Sequence, residues 1–168
     1  MGANFQLVIP LLLKAEGGHV DNPKDYGGET KFGISKKQYP NVDIENLTLE
    51  EACDILERDY WNRYRLIEIR EQIVANQSFL LLINMNPLNA GKIVQKAIND
   101  CKIIRPAIQE DGIIGSNTLS TINSFTPYET ISLSANLRNE ACRYYLQRVD
   151  DDPTQIANFR SWIRRSLL

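Results

Sequence analysis

The sequence predicts a mainly α chain carrying one small β element. Apolar residues recur at helical spacing through most of the 168 residues. Three segments have the grammar of a helix start: Thr48-Leu49-Glu50-Glu51, Thr126-Pro127-Tyr128-Glu129 and Asp152-Pro153-Thr154-Gln155. One stretch, Lys14 to Ser35, is too rich in glycine and acids to make a core and reads as loops with at most a short hairpin.

Asn4 suits the cap of a first helix whose buried face would hold Phe5, Leu7, Val8, Leu11, Leu12 and Ala15. Pro10 inside it requires either a start there or a kink. Gly17-Gly18 ends it, so Glu16 falls in the last turn, where the helix dipole disfavours negative charge and favours a raised pKa. Asn22-Pro23 and Gly27-Gly28 mark turns, and Lys31-Phe32-Gly33-Ile34 reads as a strand. The Thr48 capping box opens a second helix through Leu56 and on toward Tyr64. A third spans about Glu71 to Ile83; its Phe79 to Ile83 run is apolar all round and belongs at the centre of the core. Asn84 to Pro87 breaks it. A fourth helix follows with Ile93, Val94, Ala97 and Ile98 inward. Asp111-Gly112 is a turn, and Ser116 suits the cap of a short helix through Leu119 and Ile122. The Thr126 box starts a long helix to about Val149. The Asp152 segment starts the last one, with Ile156, Phe159, Trp162 and Ile163 on its apolar face.

At this length, with 43% hydrophobic residues, the chain can bury a sizeable core. A net charge of −2 argues against nucleic acid as the main partner. Three widely spaced cysteines, Cys53, Cys101 and Cys142, read as reduced thiols. One histidine and no Cys-x-x-Cys pair leave no metal site to expect. Leu7 to Leu13 is short, broken by Pro10 and lacks a basic residue before it, so neither a cleaved leader nor stable membrane insertion is expected. The expectation is a soluble protein made in the cytoplasm; if it acts outside, something other than a cleaved leader must deliver it.

The Lys14 to Ser35 stretch carries the chemistry. Glu16 and Asp25 lie nine positions apart across a turn. Cleavage of a glycosidic bond needs such a carboxyl pair. One must be protonated to give its proton to the leaving oxygen; the other must be ionised, to hold a water or stabilise the oxocarbenium-like transition state. Glu16 follows an apolar helix, whereas Asp25 sits among turn backbone, and Thr30 offers a hydroxyl able to orient a water. The same residues also suit a blander role: a glutamate at a helix end is commonly solvated, and Asp21, Asn22 and Asp25 can bond their own backbone in turns.

Glu16-Gly17-Gly18-His19, Asn22-Pro23, Asp25, Gly27-Gly28, Thr30 and Gly33-Ile34 together resemble the signature of glycoside hydrolase family 108, N-acetylmuramidases found as phage-type endolysins and bacterial secretion activator proteins. Asp59-Tyr60-Trp61 resembles the family's Tyr-Trp. Phe79 to Pro87 resembles its Phe-Asp-x-x-Val-Asn-x-Gly-Pro, with Leu80 in place of the acid and Asn86 in place of the glycine. Asparagine tolerates a left-handed conformation, so the turn at Asn86 can survive. Lys92 to Ile122 is similar to the peptidoglycan-binding module of the family's C-terminal half. Phe159 to Arg165 resembles Phe-x-Gly-Trp-x-x-Arg, with Ser161 for glycine.

The resemblance implies a lysozyme-like α-helical fold, with residues 1–90 as the muramidase region and 91–168 as a peptidoglycan-binding-like helical region packed on it. It implies hydrolysis of the β-1,4 bond between N-acetylmuramic acid and N-acetylglucosamine by a monomer acting on peptidoglycan glycan strands, without a cofactor. Glu16 is carried over as the acid. Asp25 and Thr30 are similar to the partners in the Glu/Asp/Thr triad of phage-type lysozymes, with a gap one residue shorter. His19, Gly33 and Asn84 are the substrate-contact candidates. Tyr26, Phe32, Tyr39, Tyr60, Trp61 and Tyr64 are either sugar platforms or core. Asp111 and Thr118 read as turn and cap. Arg160, Arg164 and Arg165 read as a basic, solvated helix end. Two other readings stay open: a lytic transglycosylase, and a non-catalytic peptidoglycan-binding or secretion-associated protein.

Overall fold

A computed structural model describes residues 2–16, 30–102 and 106–167, with backbone alone at 15 and 16. Within them lie helices α1 (Ile9–Glu16), α2 (Leu49–Leu56), α3 (Gln72–Asn84), α4 (Pro87–Asp100), α5 (Ser116–Asn123), α6 (Pro127–Asp151) and α7 (Ile156–Ser166), and strands β1 (Thr30–Lys31) and β2 (Ile34–Ser35). The mainly α reading with one hairpin is the observed architecture.

The packing follows from α3. Every residue from Val74 to Leu82 is buried, so this helix needs neighbours on all sides. It finds them in α4, α6, α7 and the segment after α2. Phe79 joins an edge-to-face cluster with Phe5 at 5.7 Å and Trp61 at 5.9 Å between ring centroids. The core is continuous from Ala3 to Tyr145 and includes residues on both sides of position 90.

The helix starts explain themselves. Thr48 and Glu51 exchange bonds in a full capping box, and so do Thr126 and Glu129. Pro10 causes no kink: a separate 3-10 turn, Phe5–Leu7, is capped by Asn4, and α1 begins at Ile9 with the proline in its first turn. Asp152 caps a 3-10 turn, Pro153–Gln155, that leads into α7. Helix α2 continues past its last residue as a π-helical turn, Glu57–Asn62. The wider turn lets two successive rings, Tyr60 and Trp61, both sit in the core.

Three local expectations are corrected. Lys31 to Ile34 is not one strand: Lys31 ends β1, Ile34 begins β2, and Phe32-Gly33 is the turn between them. Asn86 is not left-handed; at φ −55° it caps α4, its side chain accepting from the Leu88 N–H, with Pro87 at the first helical position. Gly115, not Ser116, caps α5; the Ser116 hydroxyl instead accepts from Arg65 at 3.0 Å.

Two devices hold the C-terminal helices to the rest. The Glu140 side chain on α6 is 4% exposed and takes Lys96 of α4 at 2.7 Å; Arg143 also donates to it. Burial opposes its ionisation, yet the Lys96 bond and the two cations hold its carboxyl below the usual range. Gln95, buried on α4, donates to Asp111 at 2.7 Å and accepts from the Gly112 N–H at 2.7 Å. Asp111 also closes its own turn on the Ile113 N–H at 2.8 Å. Asp111 is thus the turn residue expected, whereas Thr118 lies inside α5 and bonds the Ile113 carbonyl at 3.2 Å.

Candidate functional site

The hairpin builds one rim of a groove. Its two central residues, Phe32 and Gly33, have φ of 53° and 80°, the arrangement a two-residue loop of type I′ requires. Glycine takes this at no cost; phenylalanine does not. Thr30 pairs with Ser35, and Lys31 with Ile34. Side chains alternate along a strand, so Ile34 enters the core while Thr30 and Ser35 line the groove. The hairpin packs on α1: a Cβ at Gly33 would lie 3.5 Å from Leu12 Cδ1 and 3.6 Å from Ile83 Cδ1. Glu16 follows Leu12 by one helical turn.

The next part of the lining is the α3–α4 junction, with Ile83, Asn84, Met85 and Asn86. Asn84, the last residue of α3, is half-buried and donates from Nδ2 to the Leu80 carbonyl at 2.7 Å. That bond fixes the amide plane in the groove wall. Leu80 itself is 4% exposed and lines a small cavity with Arg138 and Arg165.

Helices α6 and α7 complete the groove with Tyr144, Arg148, Trp162 and Arg165. Asn89 donates to the Tyr144 hydroxyl at 3.1 Å. The buried Tyr145 ring stacks on Trp162 at 5.2 Å, and burial pushes its phenol up to about 12, so it stays neutral. The groove holds about 370 Å³. It shares Ser35, Gln38, Ile83, Asn84, Met85 and Asn86 with an adjoining depression of about 540 Å³ that reaches Tyr60 and Pro87. A third depression, lined by Gln38, Tyr39, Asp59, Tyr60 and Tyr64, extends the line further. There Tyr39 donates to Asp59 at 3.0 Å. Burial, Tyr60 and that bond hold the Tyr39 hydroxyl far above its usual pKa. The Arg58 bond keeps Asp59 ionised below its usual range.

Of the sequence-derived candidates, Thr30, Gly33 and Asn84 line one groove. The backbone of Glu16 ends α1; its side chain, and His19 and Asp25 entirely, lie outside the described residues. Trp61 is core, while Tyr39, Tyr60 and Tyr64 border the far depression. Sequence reasoning missed Tyr144 and Arg148, and placed Arg165 on a solvated end. Arg160 and Arg164 are exposed, but Arg165 is half-buried in the groove wall. The available signal was the spacing of Trp162 and Arg165 on one face of α7.

Among the described residues no cluster of histidine, cysteine and acids could hold a metal, and no helix is long and apolar enough to cross a membrane. All three cysteines are free thiols.

The Glycosyl hydrolase 108 family matches residues 9–85, the span from α1 through the hairpin to the end of α3. No curated protein matches the chain. Among solved structures, Brucella abortus SagA is similar at a TM-score of 0.71 and 24% identity, over 97% of this chain and 92% of that chain. The likeness carries the fold, the mainly α lysozyme-like arrangement that the sequence resemblance implies.

Proposed function

We propose that the chain is a glycoside hydrolase of peptidoglycan, an N-acetylmuramidase that cuts the β-1,4 bond between N-acetylmuramic acid and N-acetylglucosamine. The observation that carries this reading is the groove itself. Thr30, Gly33 and Asn84 line it, its hairpin packs on Leu12 one turn before Glu16, and all these residues fall inside the family match at 9–85.

In this reading Glu16 is the general acid. It gives its proton to the glycosidic oxygen as the bond to the anomeric carbon breaks. Ionised Asp25 stabilises the positive charge that develops on the sugar, and the Thr30 hydroxyl orients the water that adds to the anomeric carbon. The water's second proton leaves through the carboxylate pair, and the product is a new reducing end. Asn84, with Nδ2 already bonded to Leu80, presents its amide oxygen to a substrate N-acetyl N–H. His19 contacts the sugar. The run of adjoining depressions suits an extended strand rather than a single sugar. The site of action is the periplasm or cell wall, and the protein works as a monomer.

The test is product analysis on purified peptidoglycan. Wild type should release reducing ends, and a folded Glu16→Gln variant should lose about 10²–10⁴-fold in rate. Full activity in that variant would sink the mechanism. Products lighter by one water would mean a lytic transglycosylase, and wall binding without release a non-catalytic binding protein.

A further inference from the structure

A directed chain of hydrogen bonds ends at the groove. Its fixed end is Asp59. Arg58 grips both carboxylate oxygens, Nε on Oδ1 at 2.7 Å and Nη2 on Oδ2 at 2.9 Å, and that grip keeps the acid ionised. An ionised carboxylate accepts hydrogen bonds and gives none. The proton shared by Tyr39 and Asp59 at 3.0 Å is therefore the tyrosine's, and Tyr39 has only that one to give. Tyr39 and Tyr60 are also hydrogen-bonded to each other. With the Tyr39 proton committed to Asp59, Tyr60 is the donor in that bond. The Tyr60 oxygen is left to accept, and Gln38 meets it with Nε2.

This last link decides which end of an amide the groove sees. A glutamine side chain can present either its N–H groups or its carbonyl oxygen. Gln38 spends Nε2 on the buried Tyr60, which leaves Oε1 as its outward group. Gln38 lines the groove and both adjoining depressions. Its backbone N–H donates to the Ser35 carbonyl at 3.1 Å, which ties it to the hairpin. We infer that Gln38 meets the bound glycan as a hydrogen-bond acceptor for one of its O–H or N–H groups, and that Asp59, acting through Tyr39 and Tyr60, is the positioning residue that holds the amide in that sense. This rests on the glycan-groove reading above. In Asp59→Asn the new amide can donate to Tyr39. Both tyrosine protons can then reverse, and Gln38 can turn its N–H groups outward.

The relay is read without ligand. In the unmodified protein the Gln38 side-chain amide protons should give nuclear Overhauser cross-peaks to the Tyr60 ring, and Asp59→Asn should weaken them severalfold. Absent cross-peaks, or cross-peaks unchanged in Asp59→Asn, overturn the relay. The contact is read by calorimetry in the Glu16→Gln background, with soluble peptidoglycan strands freed of stem peptide by an amidase as the probe. Gln38→Met, at an exposed position that does not threaten folding, should raise Kd about fivefold, the order of one neutral hydrogen bond. Gln38→Glu accepts from Tyr60 with one oxygen and keeps the other outward, so its Kd should stay within about twofold. Asp59→Asn should raise Kd about threefold with Gln38 in place and leave it unchanged beside Gln38→Glu, where the acceptor needs no orienting. A merely structural Asp59 would cost the same factor in both backgrounds. That result, or Gln38→Met binding as tightly as its parent, overturns the inference. Reducing-end release by the unmodified protein reports the hydrolase reading separately, so the two fail independently.

Discussion

Arg164 donates from Nη2 to the carbonyl oxygen of Lys14 at 3.2 Å, joining two residues 150 positions apart. The acceptor is one of the last carbonyls of α1, at a helix end, where backbone oxygens call for partners from outside the helix. A cation there also suits the negative end of the helix dipole. The last helix thereby holds the end of the first, two residues before Glu16.

Arg164→Ala should therefore affect activity more than stability. An exposed bond of this kind contributes about 0.5 kcal/mol, so the melting temperature should move by no more than about 2 °C. Wall-lysis rate should fall severalfold if the end of α1 positions Glu16. A thermal melt and a turbidity assay on the same preparation compare the two; equal small effects on both would leave Arg164 a surface residue.

Glu140 makes stability depend on acid. Its folded pKa lies below the unfolded value of 4.5. A depressed carboxyl contributes stability that is fully present above 4.5 and is lost as pH falls through the folded pKa. Unfolding in urea between pH 7 and pH 3 should show this loss. Glu140→Gln, which leaves Lys96 and Arg143 without their anion, should be less stable at pH 7 and show a flatter acid limb.

Gly91 and Gly115 should respond to alanine to very different degrees. A Cβ at Gly91 would lie 1.9 Å from the Gly112 carbonyl oxygen, whereas one at Gly115 meets nothing closer than Ile113 Cγ2 at 3.7 Å. Gly91→Ala must push the 111–115 loop off α4, at a cost of about 3 kcal/mol. Gly115→Ala alters only a cap residue and should cost about 0.5 kcal/mol. Denaturant midpoints of the two variants provide the comparison.

Gly33→Ala separates space from conformation. Leu12 and Ile83 leave room for the methyl group, but φ of 80° does not suit it. The expected cost is about 1 kcal/mol, and glycan binding should weaken because the turn carries the groove rim. A variant as stable as wild type would mean that the hairpin relaxes freely.

Much of the fold was legible because its signals are local. Thr48 and Thr126 cap helices through partners three residues away, and Asn84 to Pro87 breaks the chain by its own chemistry. What stayed hidden depends on distant contacts. The π-helical turn at Glu57–Asn62 follows from Tyr60 and Trp61 both seeking the core. Ser116 looks like a cap until Arg65, 51 positions away, takes its hydroxyl. The hairpin turn reads as a strand because phenylalanine at positive φ is rare. The site was legible to the same degree. Thr30, Gly33 and Asn84 stood out, but Arg148, Trp162 and Arg165 become groove residues only through the packing of α6 and α7 on α3.

The burial of α3 on every side has a kinetic corollary. Amide protons from Val74 to Leu82 can meet deuterium only when the whole chain opens, so their exchange reports global unfolding. The hairpin, with two residues in each strand, exchanges by its own local opening. The groove rim can thus breathe at a frequency that core substitutions leave untouched, and stiffening the protein need not slow it.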